Sequence, residues 1–103
     1  MVTKSNNKAH AGAVRRIAAR WGGTVGPDTG PDILLADGRI EVETSATLAA
    51  SIERLKSAPG RRYIAVTNKE TIPDAFRLVD GTGIGVLNSH GDVLRDAVVP
   101  VRK

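Results

Sequence analysis

The stretch from Pro31 to Glu43 constrains the fold of this chain more than any other part of its sequence. It carries Asp37-Gly38 between two apolar runs, which is a strong signal for a β-hairpin with a two-residue turn. Counting outward from a turn centred on Asp37-Gly38 pairs the aliphatic residues of the two strands: Leu35 with Ile40 and Ile33 with Val42. Because strand side chains alternate between faces, one face of the hairpin is predicted to be aliphatic and buried.

The opposite face of the predicted hairpin collects acidic side chains. In the same register Asp32 lies directly across from Glu43, and Glu41 is the diagonal neighbour of Asp32. Like charges that face each other on a sheet repel, so we expect a cation to relieve the repulsion. Carboxylate oxygens are the hard ligands that Mg²⁺ and Mn²⁺ prefer. The alternative is that these acids form the solvated face of an ordinary hairpin.

The rest of the chain predicts an α/β domain. A helix is expected at Lys8–Trp21, ending at Gly22-Gly23, and a second helix at Thr44–Lys56. Strand, helix and strand in succession give a parallel pair, with a site expected at the carboxyl end of the first strand. We expect a mixed sheet of about four or five strands flanked by helices. The remaining predicted elements are a short strand near Thr24, a strand at Tyr63–Thr67, a helix around Pro73–Leu78, a strand at Ile84–Leu87 and a terminal strand from Val93.

Composition narrows the classes of function. The 103 residues suit one domain, with residues 1–7 as a flexible polar tail. The chain has no Cys and two His, which excludes disulfide scaffolds and thiolate zinc sites. A net charge of +4 favours a polyanionic partner, whereas 3% aromatic residues argue against base stacking. With no signal peptide and no run of roughly 20 apolar residues, we expect a soluble, intracellular protein without membrane contact.

Pro31-Asp32 followed by Glu41-Val42-Glu43 resembles the core of the PD-(D/E)xK nuclease superfamily, which includes type II restriction enzymes and archaeal-type Holliday junction resolvases. The resemblance covers most of the chain and implies a restriction-endonuclease-like three-layer core within a single domain, residues 1–103. It implies that Asp32, Glu41 and the Val42 backbone carbonyl ligate Mg²⁺ or Mn²⁺. It also implies that Asp32, Glu41 and Glu43 form the catalytic set.

The chain departs from the family pattern at two places. Glu43 occupies the position of the usual lysine, so it is either a further metal ligand and proton acceptor or the mark of a lost activity. The first helix lacks the acid that resolvase-like members often carry, and His10 is the polar residue on its apolar face. His10 is either an accessory group that contacts phosphate or water, or a partly exposed structural histidine. Thr44 and Ser45 either bind phosphate or cap the following helix.

We therefore predict a metal-dependent endonuclease that hydrolyses DNA phosphodiester bonds, is directed by DNA structure and acts as a homodimer. RNA remains open as a substrate. The alternatives are an inactive nucleic-acid-binding or assembly module that retains the nuclease fold, and a protein-interaction domain with an acidic patch. The basic residues predicted to contact the nucleic-acid backbone are Lys8, Arg15, Arg16, Arg20, Lys56, Arg61, Arg62 and Lys69.

Overall fold

A computed structural model describes residues 8–27 and 30–99, which form three helices and a mixed six-stranded sheet. The predicted tail, residues 1–7, lies outside the described residues. The helices are α1 (Lys8–Trp21), α2 (Leu48–Lys56) and α3 (Ile72–Val79), the last preceded by a 3₁₀ turn (Lys69–Thr71). The strands are β1 (Thr24–Val25), β2 (Ile33–Leu35), β3 (Gly38–Glu43), β4 (Arg61–Val66), β5 (Gly85–Leu87) and β6 (Val93–Arg95). None of the helices in the described ranges is long and apolar enough to cross a membrane.

The strands follow one another across the sheet in chain order, β1 to β6. The pairs β3–β4 and β4–β5 are parallel, and the other three are antiparallel. The predicted parallel pair across α2 is therefore confirmed. The sheet exceeds the expected four or five strands because β1 and β6, with two and three residues, both pair at its edges.

The helices cover both faces of the sheet and create two cores. On one face α1 packs Val14 and Ile17 against a set of inward-facing aliphatic side chains: Ile33, Ile40, Val42 and Leu87. On the other face α2 and α3 pack against Ile64, Val66 and Val86. The predicted bounds of α1 are confirmed, and Gly22 ends it with φ +65° in the left-handed conformation that glycine adopts without penalty.

The predicted hairpin exists, but its predicted register is wrong. The structure pairs Leu35 with Gly38 and Ile33 with Ile40, so Ala36 and Asp37 are the central turn residues. Pairing shifts by two positions, which is why the aliphatic face survives while Asp32 moves from opposite Glu43 towards Glu41. Gly38 does not have the positive φ that the predicted turn needs.

Gly38 instead permits a close approach between strands. It lies opposite Arg61 in the parallel β3–β4 ladder, and a Cβ atom at this position would overlap the Arg61 carbonyl oxygen. The same end of the ladder is fixed by a hydrogen bond from the Arg61 N–H to the Asp37 carbonyl, 2.8 Å long. The glycine therefore sets the alignment of β3 on β4, and not the shape of the hairpin turn.

Arg62 was expected on the surface as a phosphate contact, and its burial excludes that role. The side chain is 1% exposed. Its Nη1 donates to the carbonyls of Leu55 and Lys56 at the end of α2, at 3.0 and 3.2 Å, and its Nη2 donates to the Thr82 carbonyl at 2.9 Å. Burial lowers the pKa of Arg62 from its ordinary value. The guanidinium joins β4 to the loop after α3 and to the carboxyl end of α2. The carboxyl end of a helix carries a partial negative charge, which favours a cation there.

We expect Gly38→Ala to lower the free energy of unfolding by about 2–3 kcal/mol, because the new methyl group forces β3 and β4 apart. Gly12→Ala is the matched control. Nothing lies within 4 Å of a Cβ added there, so the gain in helix propensity should raise the free energy of unfolding by about 0.8–1 kcal/mol. Urea denaturation measures both. A Gly38→Ala variant as stable as wild type would contradict the close approach to Arg61.

Arg62→Leu is expected to lower the free energy of unfolding by about 2–4 kcal/mol, since it leaves buried carbonyls of α2 and Thr82 without their donor. Arg77→Leu serves as the control, because its 3.4 Å ion pair with Asp74 is exposed. That substitution should change the free energy by less than about 0.5 kcal/mol. Equal effects of the two substitutions in thermal unfolding would show that the buried guanidinium does not stabilise the fold.

Candidate metal centre

Three acidic side chains meet where β3 ends. Glu41 and Glu43 lie opposite Ile64 and Val66 in the β3–β4 register, so they share the face that α2 covers. Both are buried, at 6% and 0% exposure. Asp32 precedes β2, and one carboxylate oxygen from each of Asp32, Glu41 and Glu43 lies within 4.8 Å of the others. Converging carboxylates at this spacing could hold a metal ion. The predicted convergence of these acids is therefore observed, although the register that suggested it is not.

The Val42 peptide explains how Asp32 is held in place. β2 begins at Ile33, opposite Ile40, so β3 continues past the end of its antiparallel partner. The Val42 N–H donates to Asp32 Oδ2 at 2.8 Å. The Asp32 carboxylate thus accepts the hydrogen bond that a carbonyl of a neighbouring strand would otherwise accept from Val42. The bond fixes the carboxylate beside Glu41 and Glu43.

His10 completes the same edge from the first turns of α1. Its Nε2 lies 2.9 Å from the Val42 carbonyl oxygen and 3.4 Å from Asp32 Oδ2. Both oxygens accept hydrogen bonds, so the assignment that satisfies them places a proton on Nε2. His10 is buried, with 5% of the residue exposed, so it is not the partly exposed structural histidine of the second interpretation.

The Val42 carbonyl, predicted to ligate the metal, already accepts a hydrogen bond from His10. A carbonyl oxygen has a second lone pair, so its role as a ligand stays a prediction. The side chains of Asp32, Glu41 and Glu43 supply three hard donors without it. That donor set fits a divalent cation with oxygen preference, which would bind through these carboxylates and keep water ligands.

Thr44 and Ser45 follow Glu43 but do not cap α2. The helix begins at Leu48, and Thr47 at its start makes no side-chain capping bond. The Thr47 N–H instead donates to the Thr44 carbonyl at 3.3 Å, which closes a turn between β3 and α2. Ser45 is exposed at this end of the sheet and Thr44 is half-buried, so phosphate binding by either stays a prediction.

Arg39 was missed in reading the sequence. By the two-residue period of β3 it lies on the same face as Glu41 and Glu43, and it is half-buried opposite Arg62 in the β3–β4 register. The signal was the strand period itself, because positions 39, 41 and 43 must share a face.

Of the predicted backbone contacts on α1, Arg16 and Arg20 are surface cations that also bind main-chain carbonyls. Arg15 is exposed. Arg16 donates from Nε and Nη2 to the Ser89 carbonyl, at 3.2 and 2.9 Å. Arg20 donates to the His90 carbonyl at 3.1 Å and forms an ion pair with Asp92. The side chain of Lys8 lies outside the described part of the chain. These bonds fasten α1 to the turn that follows β5.

The other predicted contacts lie in different surroundings. Lys56 pairs with Glu53 at 2.6 Å, and Lys69 is exposed just beyond the carboxyl end of β4. Arg61 grips Asp37 through two hydrogen bonds of 2.9 and 3.0 Å, and this interaction holds the pKa of the Asp37 carboxyl below its ordinary value. Lys69 therefore lies near the carboxyl ends of β3 and β4, as Glu43 does, whereas Arg61 lies at the amino ends of these strands.

We expect Mn²⁺ at a hundredfold excess over its Kd to raise the free energy of unfolding by about 2.7 kcal/mol, because an ion that binds only the native state must stabilise it. Glu41→Gln should remove most of this stabilisation. Glu53→Gln, a matched change at an exposed acid outside the cluster, should keep it. Thermal unfolding followed by circular dichroism measures the shift. An undiminished shift in Glu41→Gln would place the bound ion elsewhere.

Comparison of the chain with protein-family models, with curated protein sequences and with solved structures finds no match. A function for the chain rests on the geometry of Asp32, Glu41 and Glu43 and on the surface around them.

Proposed function

We propose that this chain is a metal-dependent endonuclease that hydrolyses DNA phosphodiester bonds. The observation that carries the proposal is the convergence of Asp32, Glu41 and Glu43, whose carboxylate oxygens lie within 4.8 Å of one another. Oxygen donors of this kind select Mg²⁺ or Mn²⁺ over the metals that prefer imidazole or thiolate. Such ions bind phosphate oxygens of a substrate while held by one or two protein carboxylates.

The fold supports this proposal. The chain runs from a basic helix α1 through the antiparallel strands β1 to β3, then through α2 to the parallel strand β4. This succession agrees with the elements on which the resemblance to the PD-(D/E)xK nucleases depends. The acids lie at the carboxyl end of β3, which is the end of a parallel strand where α/β proteins build their sites.

The three acids would share two tasks in hydrolysis, which are to hold the cation and to accept a proton. Asp32 and Glu41 would hold the cation, and Asp32 is oriented for this by its bond from the Val42 N–H. Hydrolysis forms a bond between a water oxygen and phosphorus and breaks the bond to a sugar oxygen, so the water must lose a proton. Glu43 stands where the family carries lysine and can accept that proton or hold the cation. When bound, the divalent ion polarises the phosphoryl group and promotes ionisation of the water.

The charge distribution supports a nucleic-acid substrate. The chain has 15 Lys and Arg against 11 Asp and Glu, and three of those acids are gathered in one cluster. The surface outside the cluster is accordingly more basic than the net charge of +4. A bound divalent ion would offset the acids and leave a surface that attracts phosphate. Because a duplex or a junction needs two cuts, we propose that the chain acts as a homodimer.

One observation favours an alternative, a nucleic-acid-binding or assembly module without activity. Asp32 Oδ2 accepts from the Val42 N–H, and this bond gives Asp32 a structural task that needs no metal. Glu43 in place of a lysine fits the same alternative. An inactive module would bind DNA in a salt-dependent way without metal, and Asp32→Ala would leave that binding unchanged or tighter.

We expect the purified protein with Mg²⁺ or Mn²⁺ to cleave at least one of branched, nicked, linear or single-stranded DNA. Glu41→Gln should lower the cleavage rate at least about a hundredfold, since a bound cation contributes several kcal/mol to the transition state. Glu53→Gln should cleave like wild type. End-labelled substrates on denaturing gels measure the rates, and matched RNA substrates decide between the two nucleic acids.

If the protein cleaves none of these substrates in the presence of Mg²⁺ or Mn²⁺, the proposed nuclease activity is refuted. Salt-sensitive DNA binding that persists in Asp32→Ala would then establish the inactive module. Weak DNA affinity without Mn²⁺ stabilisation would indicate a protein-interaction domain.

A further inference from the structure

We propose that His10 is a positioning residue, which orients the Asp32 carboxylate for the metal ion through its contacts with Asp32 Oδ2 and with the Val42 backbone, and is neither a metal ligand nor a base. The proposal rests on the proposed function, since it assigns a task within the same site. The proposal concerns three atoms that lie beside β3, beyond the first residue of β2. They are His10 Nε2, the Val42 carbonyl oxygen and Asp32 Oδ2.

The geometry makes His10 a donor towards the site. Its Nε2 is 2.9 Å from the Val42 carbonyl and 3.4 Å from Asp32 Oδ2, and both of those oxygens are acceptors. A nitrogen that carries a proton towards two oxygens has no lone pair to give a metal there. The same nitrogen cannot take a proton from water while it donates to Val42.

The backbone of Val42 links the two side chains. Its N–H donates to Asp32 Oδ2 at 2.8 Å, and its carbonyl accepts from His10. His10 and Asp32 thus close the two polar groups that β3 presents beyond the start of β2. The N–H and the carbonyl of Val42 lie in the two peptide units on either side of its Cα, so the contacts with Asp32 and His10 together restrict the backbone torsions of Val42. The bond from the Val42 N–H in turn holds the Asp32 carboxylate beside Glu41. A partner that orients a metal-binding carboxylate in this way commonly changes metal affinity by about 10–100-fold when it is removed.

The position of His10 on α1 explains how the donor is kept in place. The residue is 5% exposed and lies one helical turn before Val14, which is 5% exposed in the core under α1. The imidazole therefore has the rigidity of a buried side chain on a helix that packs along the sheet. His10→Gln retains an N–H donor at nearly the position of Nε2, whereas His10→Leu removes the donor and keeps comparable bulk.

The test compares His10→Leu, His10→Gln and a control, Val14→Ala, which loosens the packing of α1 without touching Val42. Mn²⁺ affinity is measured by calorimetry, and exchange of the Val42 amide hydrogen is measured by NMR in metal-free protein. His10→Leu should weaken Mn²⁺ binding by about 10–100-fold, and His10→Gln should restore it to within about threefold of wild type. Val14→Ala should leave it unchanged. The Val42 amide should exchange faster relative to the other β3 amides in His10→Leu alone.

Each of the following results would overturn the proposal. Wild-type Mn²⁺ affinity and Val42 exchange in His10→Leu would make the residue structural only. Nitrogen coupling to bound Mn²⁺ in pulsed EPR of wild type, lost in His10→Gln, would make it a ligand. Equal loss of affinity in Val14→Ala and His10→Leu would reduce the effect to general loosening of α1. If wild type binds no Mn²⁺, the proposed function fails, and an unchanged Val42 exchange rate in His10→Leu would separately refute the positioning contact.

Discussion

The two-residue period of β3 is the constraint on which the rest of the structure depends. The strand is paired on both sides, antiparallel with β2 and parallel with β4, and both of its faces are covered by helices. Alternation sends Ile40 and Val42 into the core under α1 and sends Glu41 and Glu43 to the face of α2. A slip of one residue would exchange the two faces of β3. Both glutamates would then enter the core under α1 and would no longer converge with Asp32.

Much of the fold follows from local pattern in the sequence. The bounds of α1 were predictable because its apolar spacing is unbroken up to Trp21 and Gly22 ends it. The faces of the hairpin were predictable because alternation survives any register shift of two. Its register was not, since Asp37-Gly38 looks like a turn signal while Gly38 is required by Arg61, 23 positions along the chain. Local pattern also started the second helix at Thr44, before the turn that delays it to Leu48.

The candidate site also has features that could be predicted from the sequence and features that could not. Clustering of Asp32, Glu41 and Glu43 could be predicted because it needs no more than strand period and chain order. The contact between His10 and Val42 could not, because it depends on how α1 lies across the sheet. Burial of Arg62 could not either, since a basic residue at the start of a strand usually reaches solvent. Long-range packing decides which polar residues turn inward.

Arg62 also has a consequence for the response of the fold to acid and alkali. Even with its pKa lowered by burial, a guanidinium stays protonated throughout the range in which proteins work, so the joint between α2 and β4 does not titrate. Asp37, Asp92 and Tyr63 are among the groups whose pKa values the fold shifts, and they titrate on either side of neutrality. Hydrogen bonds hold the pKa of Asp37 and Asp92 below the ordinary 3.8, so their stabilisation is present above that value and is lost in stronger acid. Burial raises the pKa of Tyr63 above 10.0. The free energy of unfolding therefore falls as the pH rises past 10.0, where tyrosine ionises in the unfolded chain but stays protonated in the folded one. Between those limits Arg62, Asp37, Asp92 and Tyr63 keep their charge states, so their contribution to the stability of the fold does not change with pH.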